Sequence, residues 1–111
     1  HFGDRIPLYV TINEPTHNAS CCYMVGNYPP NEKVNMQHFC HCAYNMVMCN
    51  AKAIREFRKL HLKSQIGLVH ASCSAEALKA TPEYLEAVEN GDLFTNDWVL
   101  DPVIKGKSRR S

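Results

Sequence analysis

The sequence has 111 residues, of which 45% are hydrophobic and 21% are charged, a balance typical of a folded globular chain rather than a disordered one. This length corresponds to one domain or to part of one. The formal net charge of +1 gives no reason to expect nucleic acid or a membrane surface as a partner. No apolar run approaches the roughly 18 residues that cross a bilayer, so no membrane span is predicted.

Six cysteines in a short chain raise the question of disulfides or a metal site. Cys21 and Cys22 are adjacent, and Cys40 and Cys42 fall within a predicted helix, where near neighbours point in different directions. No Cys-x-x-Cys pair occurs. We therefore predict buried or half-buried free thiols, no structural metal, and a reducing compartment, which is the cytoplasm.

The first apolar run extends from Ile6 to Ile12 and contains β-branched residues, which predicts a strand. Pro15 ends this run and favours an extended backbone at Glu14. Residues 16–35 are rich in proline, glycine and asparagine, which predicts a loop. A loop of this length is usually functional.

Residues 36–60 lack glycine and proline, and their apolar side chains recur at helical spacing, which predicts a long helix capped by Asn35. The first half of this helix is apolar almost all round, so we expect it to be buried, whereas the second half carries a charged, solvated face. The short apolar run from Ile66 to Val69 predicts a strand that is covered on both faces.

The C-terminal third of the sequence begins with a second helix signal. Thr81-Pro82-Glu83 combines a cap residue, a proline at the first helical position and an acid in the first turn. We predict that this helix ends at Asn90-Gly91. The last stretch, from Phe94 to Lys107, contains Trp98 and another short apolar run.

A strand, a long helix and a second strand in that order predict a βαβ unit with two parallel strands. Glu14 follows the end of the first strand, and His70 follows the end of the second. Carboxyl ends of parallel strands share one edge, where α/β proteins bind ligands. His70 is therefore either a ligand-facing residue or a structural histidine.

The segment Thr11-Ile12-Asn13-Glu14-Pro15 places a carboxylate at a strand end beside an amide side chain. This pair suits acid/base chemistry on a polar substrate, although a strand-end glutamate also occurs as a simple cap. With Phe2-Gly3-Asp4-Arg5 before it, the segment resembles the fourth barrel strand of glycoside hydrolase family 1. Residues 36–60 and 65–69 are similar to that family's fourth helix and fifth strand. Phe94 and Trp98-Val99-Leu100-Asp101-Pro102 resemble its Phe-(x)3-Trp-Phe-Leu-Asp-Pro segment.

The resemblance implies a retaining β-glycosidase built on a (β/α)8 TIM barrel. This α/β chain would supply about two βα units, those of the fourth and fifth strands. It also implies that Glu14 is the catalytic acid/base and that Asn13 binds the sugar 2-hydroxyl. The implied substrate is a β-glucoside or a 6-phospho-β-glucoside, with no metal and no organic cofactor. In the long loop, Tyr23, Asn27 and Tyr28 either line the aglycone side or pack locally.

Departures from the family pattern limit what this chain can do alone. The family nucleophile, a second glutamate in a Thr-Glu-Asn-Gly-type motif, is absent, and Glu89-Asn90-Gly91 imitates it only at a predicted helix end. Ser108-Arg109 replaces the usual Tyr-Pro, so we assign residues 1–107 to the family and residues 108–111 to an unrelated or divergent tail. We expect an inactive fragment of a glycosidase. The alternative is a non-catalytic truncated protein that binds sugar weakly or self-associates through exposed strand edges.

Overall fold

The computed structural model describes residues 2–107, which divide after Ala71 into two compact units. The predicted tail at 108–111 lies outside the described residues. The first unit contains a short 3-10 turn and four regular elements: the turn Gly3–Arg5, β1 (Leu8–Asn13), α1 (Pro15–Ser20), α2 (Met36–Arg58) and β2 (Gln65–Val69). The second unit contains α3 (Pro82–Asp92) and the short α4 (Trp98–Leu100). Wide π-helical turns follow α1, α3 and α4 at Cys21–Val25, Leu93–Asp97 and Asp101–Lys105.

The two strands of the first unit form a parallel pair, which confirms the predicted strand–helix–strand order. Leu8 pairs with Gln65 at one end of the ladder, and Asn13 pairs with Val69 at the other. The register is irregular between Val10 and Asn13. Because the strands are parallel, their carboxyl ends lie at the same edge of the sheet.

The long helix α2 begins where the sequence predicts. The Oδ1 atom of Asn35 accepts a hydrogen bond from the backbone N–H of His38 at 3.1 Å, which satisfies one of the unpaired donors of the first turn. The helix ends at Arg58, two residues before the predicted end at Leu60. The hydrogen bond from His38 to Asn35 confirms the predicted cap at the start of the helix.

One face of α2 packs inside the first unit. Its buried residues, Phe39, Ala43 and Asn50, follow helical spacing and so share this face. Near the end of the helix, the ring of Phe57 lies 5.1 Å from that of Tyr9 on β1, centroid to centroid. Burial of this apolar face is the main source of helix stability, since intrinsic propensity alone contributes little.

The prediction that the first half of α2 is buried all round is wrong. Tyr44 is 60% exposed, and Met36 and Met48 are also exposed. The second strand is likewise less covered than predicted, since Val69 is exposed at the end of β2. On β1, Leu8 is 59% exposed. The first unit packs against one face of α2, and Tyr44, Met36 and Met48 lie on its other faces.

The predicted loop of residues 16–35 contains a helix that the sequence analysis missed. α1 and the π-helical turn occupy Pro15–Ser20 and Cys21–Val25, with Ala19 and Cys21 buried. Pro15 stands at the first helical position, where its fixed φ favours helix and its missing N–H costs nothing. The true loop begins at Gly26, which adopts the left-handed conformation (φ 76°) that ends the turn.

The second unit is more helical than the sequence predicts. Thr81 immediately precedes α3 as predicted, but the helix continues through Asn90-Gly91 to Asp92. Gly91 does not take the left-handed conformation that would end a helix, whereas Gly106 does (φ 69°). The side chain of Asn96 accepts a hydrogen bond from the backbone N–H of Cys73 and donates one to its carbonyl, at 3.2 and 2.6 Å.

We expect the 111-residue chain, purified alone, to aggregate or to melt broadly without cooperativity. A two-stranded sheet is marginal in water, and each large apolar side chain left exposed forfeits about 1.5–3 kcal/mol. Typical domains are stable by only about 5–15 kcal/mol, so a few such losses remove the folded state. Thermal melting by circular dichroism, with light scattering for mass, measures this. A sharp transition from a monomer would contradict the prediction.

Candidate active site

The carboxyl ends of β1 and β2 bring the predicted site residues to one edge of the sheet. Asn13 is the last residue of β1 and pairs with Val69, the last residue of β2. The backbone N–H of Glu14 extends this ladder by donating to the carbonyl of Val69 at 2.8 Å. His70 follows Val69 directly and is half-buried. Asn13, Glu14 and His70 therefore lie at the ends of two neighbouring strands.

Glu14 has an unusual backbone conformation. Its φ and ψ are 47° and 61°, the left-handed region, so the predicted extended conformation is wrong. A residue before proline is excluded mainly from the right-handed helical region, and here the chain must pass from β1 to α1 through this single residue. The left-handed conformation makes this turn possible. It costs about 1–3 kcal/mol for a residue other than glycine, and such strain is common at active sites.

Neighbouring residues hold this turn on both sides. Pro15 is fully buried at the start of α1, which fixes the chain after Glu14. The backbone N–H of Asn18 donates to the carbonyl of Glu14 at 2.9 Å. The Nδ2 atom of the same residue donates to the carbonyls of Asn13 and Glu14, at 2.7 and 3.2 Å. The turn is therefore held by contacts to both peptide groups that flank it.

The carboxylate of Glu14 remains available for chemistry. The residue is half-buried, and no side-chain hydrogen bond or ion pair joins its carboxylate to any residue among 2–107. The neighbouring side chain of Asn13 is exposed. A carboxyl group in this position can donate a proton to a substrate oxygen and can later accept one from water. An adjacent amide can hydrogen-bond a hydroxyl group of the same substrate.

A buried polar contact lies beneath the site. Asn50 in the middle of α2 is only 3% exposed, and its Oδ1 atom accepts a hydrogen bond from the Thr11 hydroxyl at 2.5 Å. The same hydroxyl lies 3.1 Å from the carbonyl of Gly67 on β2. These contacts tie α2 to both strands three residues before Glu14. Asn50 was not predicted as a site residue. Its position could have been noticed in the sequence because it is a polar residue on the otherwise apolar face of α2.

The predicted aglycone residues do not form one group. Tyr23 lies in the π-helical turn, where its ring meets that of His38 edge-on with centroids 5.7 Å apart. Burial and the nearby Cys42, Cys22 and Glu32 raise the pKa of its hydroxyl. Asn27 and Tyr28 are exposed in the following loop.

A polar cluster closes this loop onto α2. A carboxylate oxygen of Glu32 lies 2.7 Å from Nδ1 of His38, and Asn35 Nδ2 donates to the same oxygen at 2.6 Å. Tyr23 packs against this cluster through its ring contact with His38. These contacts support local packing of Tyr23 and leave Asn27 and Tyr28 as the surface residues of the loop.

All six cysteines are free, but they are less buried than predicted. Cys21 is buried and two others are half-buried, whereas Cys40, Cys49 and Cys73 are exposed, so the prediction is wrong for these three. Cys40 and Cys49 lie on the exposed faces of α2. Burial and the neighbouring Cys22 raise the pKa of the Cys42 thiol. Within residues 2–107, no three His, Cys, Asp or Glu side chains are grouped to hold a metal ion.

None of the helices described between residues 2 and 107 combines the length and the apolar character needed to cross a bilayer.

Fold and site together define a class of protein. A parallel α/β segment with a carboxylate beyond a strand end is typical of barrel enzymes that act at the carboxyl ends of their strands. The family model for glycosyl hydrolase family 1 matches residues 1–111. The chain belongs to this family, which confirms the resemblance found in the sequence.

Known relatives match this chain over only part of their own length. Aryl-phospho-beta-D-glucosidase BglC of Bacillus subtilis is 36% identical over 100 residues, which are 90% of this chain and 21% of the relative. A 6-phospho-beta-galactosidase of Clostridium acetobutylicum is 29% identical over 105 residues, covering 95% of this chain and 22% of that enzyme. The chain thus spans about one fifth of the length of these relatives.

A solved structure gives the same result for the fold. The crystal structure of a beta-glucosidase from Exiguobacterium marinum superposes with a TM-score of 0.82 and 26% sequence identity. The match covers 93% of this chain and 24% of that enzyme. The two-stranded parallel sheet and its helices therefore have the α/β arrangement found in the barrel enzymes of this family.

The cysteines give a direct chemical test. We expect thiol titration of the denatured protein, purified without added reductant, to find most of the six cysteines reduced, because none is paired in the fold. We also expect no stoichiometric zinc by elemental analysis, because no ligand cluster is present among the described residues. One tightly bound zinc per chain would contradict the prediction.

Proposed function

We propose that this chain carries the acid/base half of a retaining β-glycosidase site, with Glu14 as the acid/base. The observation that carries the proposal is the half-buried Glu14 carboxylate at the end of β1, next to the exposed Asn13. As acid, Glu14 protonates the glycosidic oxygen of the leaving group. As base, it then deprotonates the water that releases the sugar from the glycosyl-enzyme. Asn13 hydrogen-bonds the sugar 2-hydroxyl.

The position of the segment within the barrel is part of the proposal. We assign β1 and β2 to the fourth and fifth strands of a (β/α)8 barrel, with α2 between them. Their parallel pairing and the match to enzymes four to five times longer support this assignment. His70 at the end of β2 would then face the same pocket as Glu14. The other strands of such a barrel are not part of residues 2–107.

The proposed substrate is a β-glucoside or a 6-phospho-β-glucoside. Similar proteins of both kinds support it, since one is an aryl-phospho-beta-D-glucosidase and another is a beta-glucosidase. Neither a nucleic acid nor a membrane is a proposed partner, in keeping with the net charge of +1. The free thiols are compatible with the cytoplasm as the proposed location.

A single carboxylate is not sufficient for this reaction. A retaining mechanism needs two carboxyl groups about 5 Å apart, and the Thr-Glu-Asn-Gly-type motif that carries the family's second glutamate does not occur in residues 1–111. The segment Glu89-Asn90-Gly91, which imitates the nucleophile motif, lies within α3 in the second unit. We therefore propose that the chain acts only together with the rest of a barrel. Sequencing the gene beyond codon 107 would test this, because a second-glutamate motif in any frame supports the enzyme.

The second candidate function is non-catalytic self-association through strand edges. The exposed side chains of Leu8 and Val10 on β1, 59% and 49%, favour it. An unpaired strand edge recruits other chains because its backbone N–H and C=O groups have no partner. Concentration-dependent oligomers without any glycosidase activity, in a chain whose gene contains no second-glutamate motif, would favour this function.

A chimera tests the role of Glu14. We would replace the aligned segment of B. subtilis BglC by residues 1–107 and measure hydrolysis of aryl 6-phospho-β-glucosides. Glu14→Gln should slow substrates with poor leaving groups by about 10²–10⁴-fold, the usual contribution of general acid catalysis. Substrates with activated leaving groups need little protonation, so the substitution should slow glycosyl-enzyme formation from them far less.

Two controls accompany this experiment. Glu86→Gln alters an exposed glutamate of α3 and should leave both substrate types unchanged. Equal loss of kcat/KM, which reports glycosyl-enzyme formation, on both substrate types in Glu14→Gln would count against the acid/base role. The 111-residue chain alone should release no nitrophenol from a nitrophenyl glycoside. If it does, and Glu14→Gln abolishes the release, our requirement for a second segment is wrong.

A further inference from the structure

The side chain of Asn18 makes an unusual pair of contacts at the turn between β1 and α1. Its Nδ2 atom donates to the carbonyl of Asn13 at 2.7 Å and to the carbonyl of Glu14 at 3.2 Å. These carbonyls belong to the two peptide groups that flank the left-handed Glu14. One amide group therefore uses both of its N–H donors on the backbone that sets the direction of the Glu14 side chain.

No other described side chain makes a hydrogen bond to these two carbonyls. The remaining contacts of the turn are backbone hydrogen bonds, from Glu14 to Val69 and from Asn18 to Glu14, both of which any residue other than proline could make. Pro15 fixes the chain on the helix side but has no N–H to donate. The Asn13 carbonyl and the Glu14 N–H belong to one peptide group, which Val69 holds through the N–H and the Asn18 side chain holds through the carbonyl.

We propose that Asn18 is a positioning residue that holds Glu14 in the left-handed conformation needed for acid/base catalysis. This inference rests on the function proposed above for Glu14. Asn18 touches no reacting atom in this account. It acts through the peptide groups on either side of Glu14, so that loss of its donors lets the turn relax and moves the carboxyl group away from the leaving oxygen.

The same nitrogen has a second, competing assignment. Asn18-Ala19-Ser20 is a formal N-glycosylation sequon, and a glycan would be attached to Nδ2. Asn18 lies within α1, and both of its N–H donors are used by the turn, so a glycan would displace at least one hydrogen bond. The structure assigns this amide to the turn.

The BglC chimera provides the test, with three variants of one position. Asn18→Leu keeps a similar size and removes both donors, Asn18→Asp keeps the shape and removes them, and Asn18→Gln restores an amide on a longer side chain. Asn45→Leu, at an exposed asparagine of α2, is the matched control. Each is assayed for kcat and KM on a poor and an activated leaving group, beside Glu14→Gln.

We expect Asn18→Leu and Asn18→Asp to lower kcat/KM, which reports glycosyl-enzyme formation, about tenfold on the poor leaving group and to leave it nearly unchanged on the activated one. Asn18→Gln should recover part of the loss, and Asn45→Leu should behave as the unchanged chimera. A folding defect gives a different result, because fewer active molecules lower kcat/KM equally on both substrates.

The outcomes separate the two proposals. If Glu14→Gln shows the leaving-group dependence but the Asn18 variants show equal losses or none, the positioning role is overturned and the function of Glu14 stands. If Glu14→Gln itself shows no leaving-group dependence, the proposed function falls and the role of Asn18 falls with it.

Discussion

The change from strand to helix within one residue is the constraint on which the rest of the site depends. Asn13 ends β1 and Pro15 begins α1, so Glu14 alone must redirect the chain. It does so in the left-handed region, at a cost of about 1–3 kcal/mol that the surrounding contacts must offset. The parallel ladder to Val69 fixes one side of this turn, and buried Pro15 fixes the other. The carboxylate at this point is thus held by backbone geometry rather than by a side-chain partner.

The packing of α2 supports β1 on the way to this site. Phe57 meets Tyr9 near the start of β1, and Asn50 meets Thr11 farther along the same strand. The helix therefore runs antiparallel to β1 and contacts it at two levels. Its other faces are exposed within this chain, and the same is true of the outer residues of β1. The site at the strand ends is ordered, whereas the faces around it are exposed. This agrees with the finding that the chain matches only about one fifth of its relatives' length.

Local chemistry made part of this structure predictable from the sequence. The Asn35 cap, the two strand positions and the strand-end location of Glu14 follow from residue type and periodicity, which act over a few residues. The conformation of Glu14 did not follow, because proline mainly excludes one backbone region and leaves the choice among the others to tertiary contacts. Helix α1 was missed because the polar loop that follows it dominated the composition. The exposure of Tyr44 was missed because burial depends on which elements are present to cover a face.

The pH dependence of hydrolysis by the BglC chimera tests the central claim, that Glu14 is the acid, most directly. An acid must be protonated to act, so activity on a poor leaving group should fall at alkaline pH, where the catalytic acid has lost its proton. We predict that the chimera shows this alkaline limb and that Glu14→Gln abolishes it while leaving the acidic limb in place. An unchanged alkaline limb in Glu14→Gln would show that another group donates the proton.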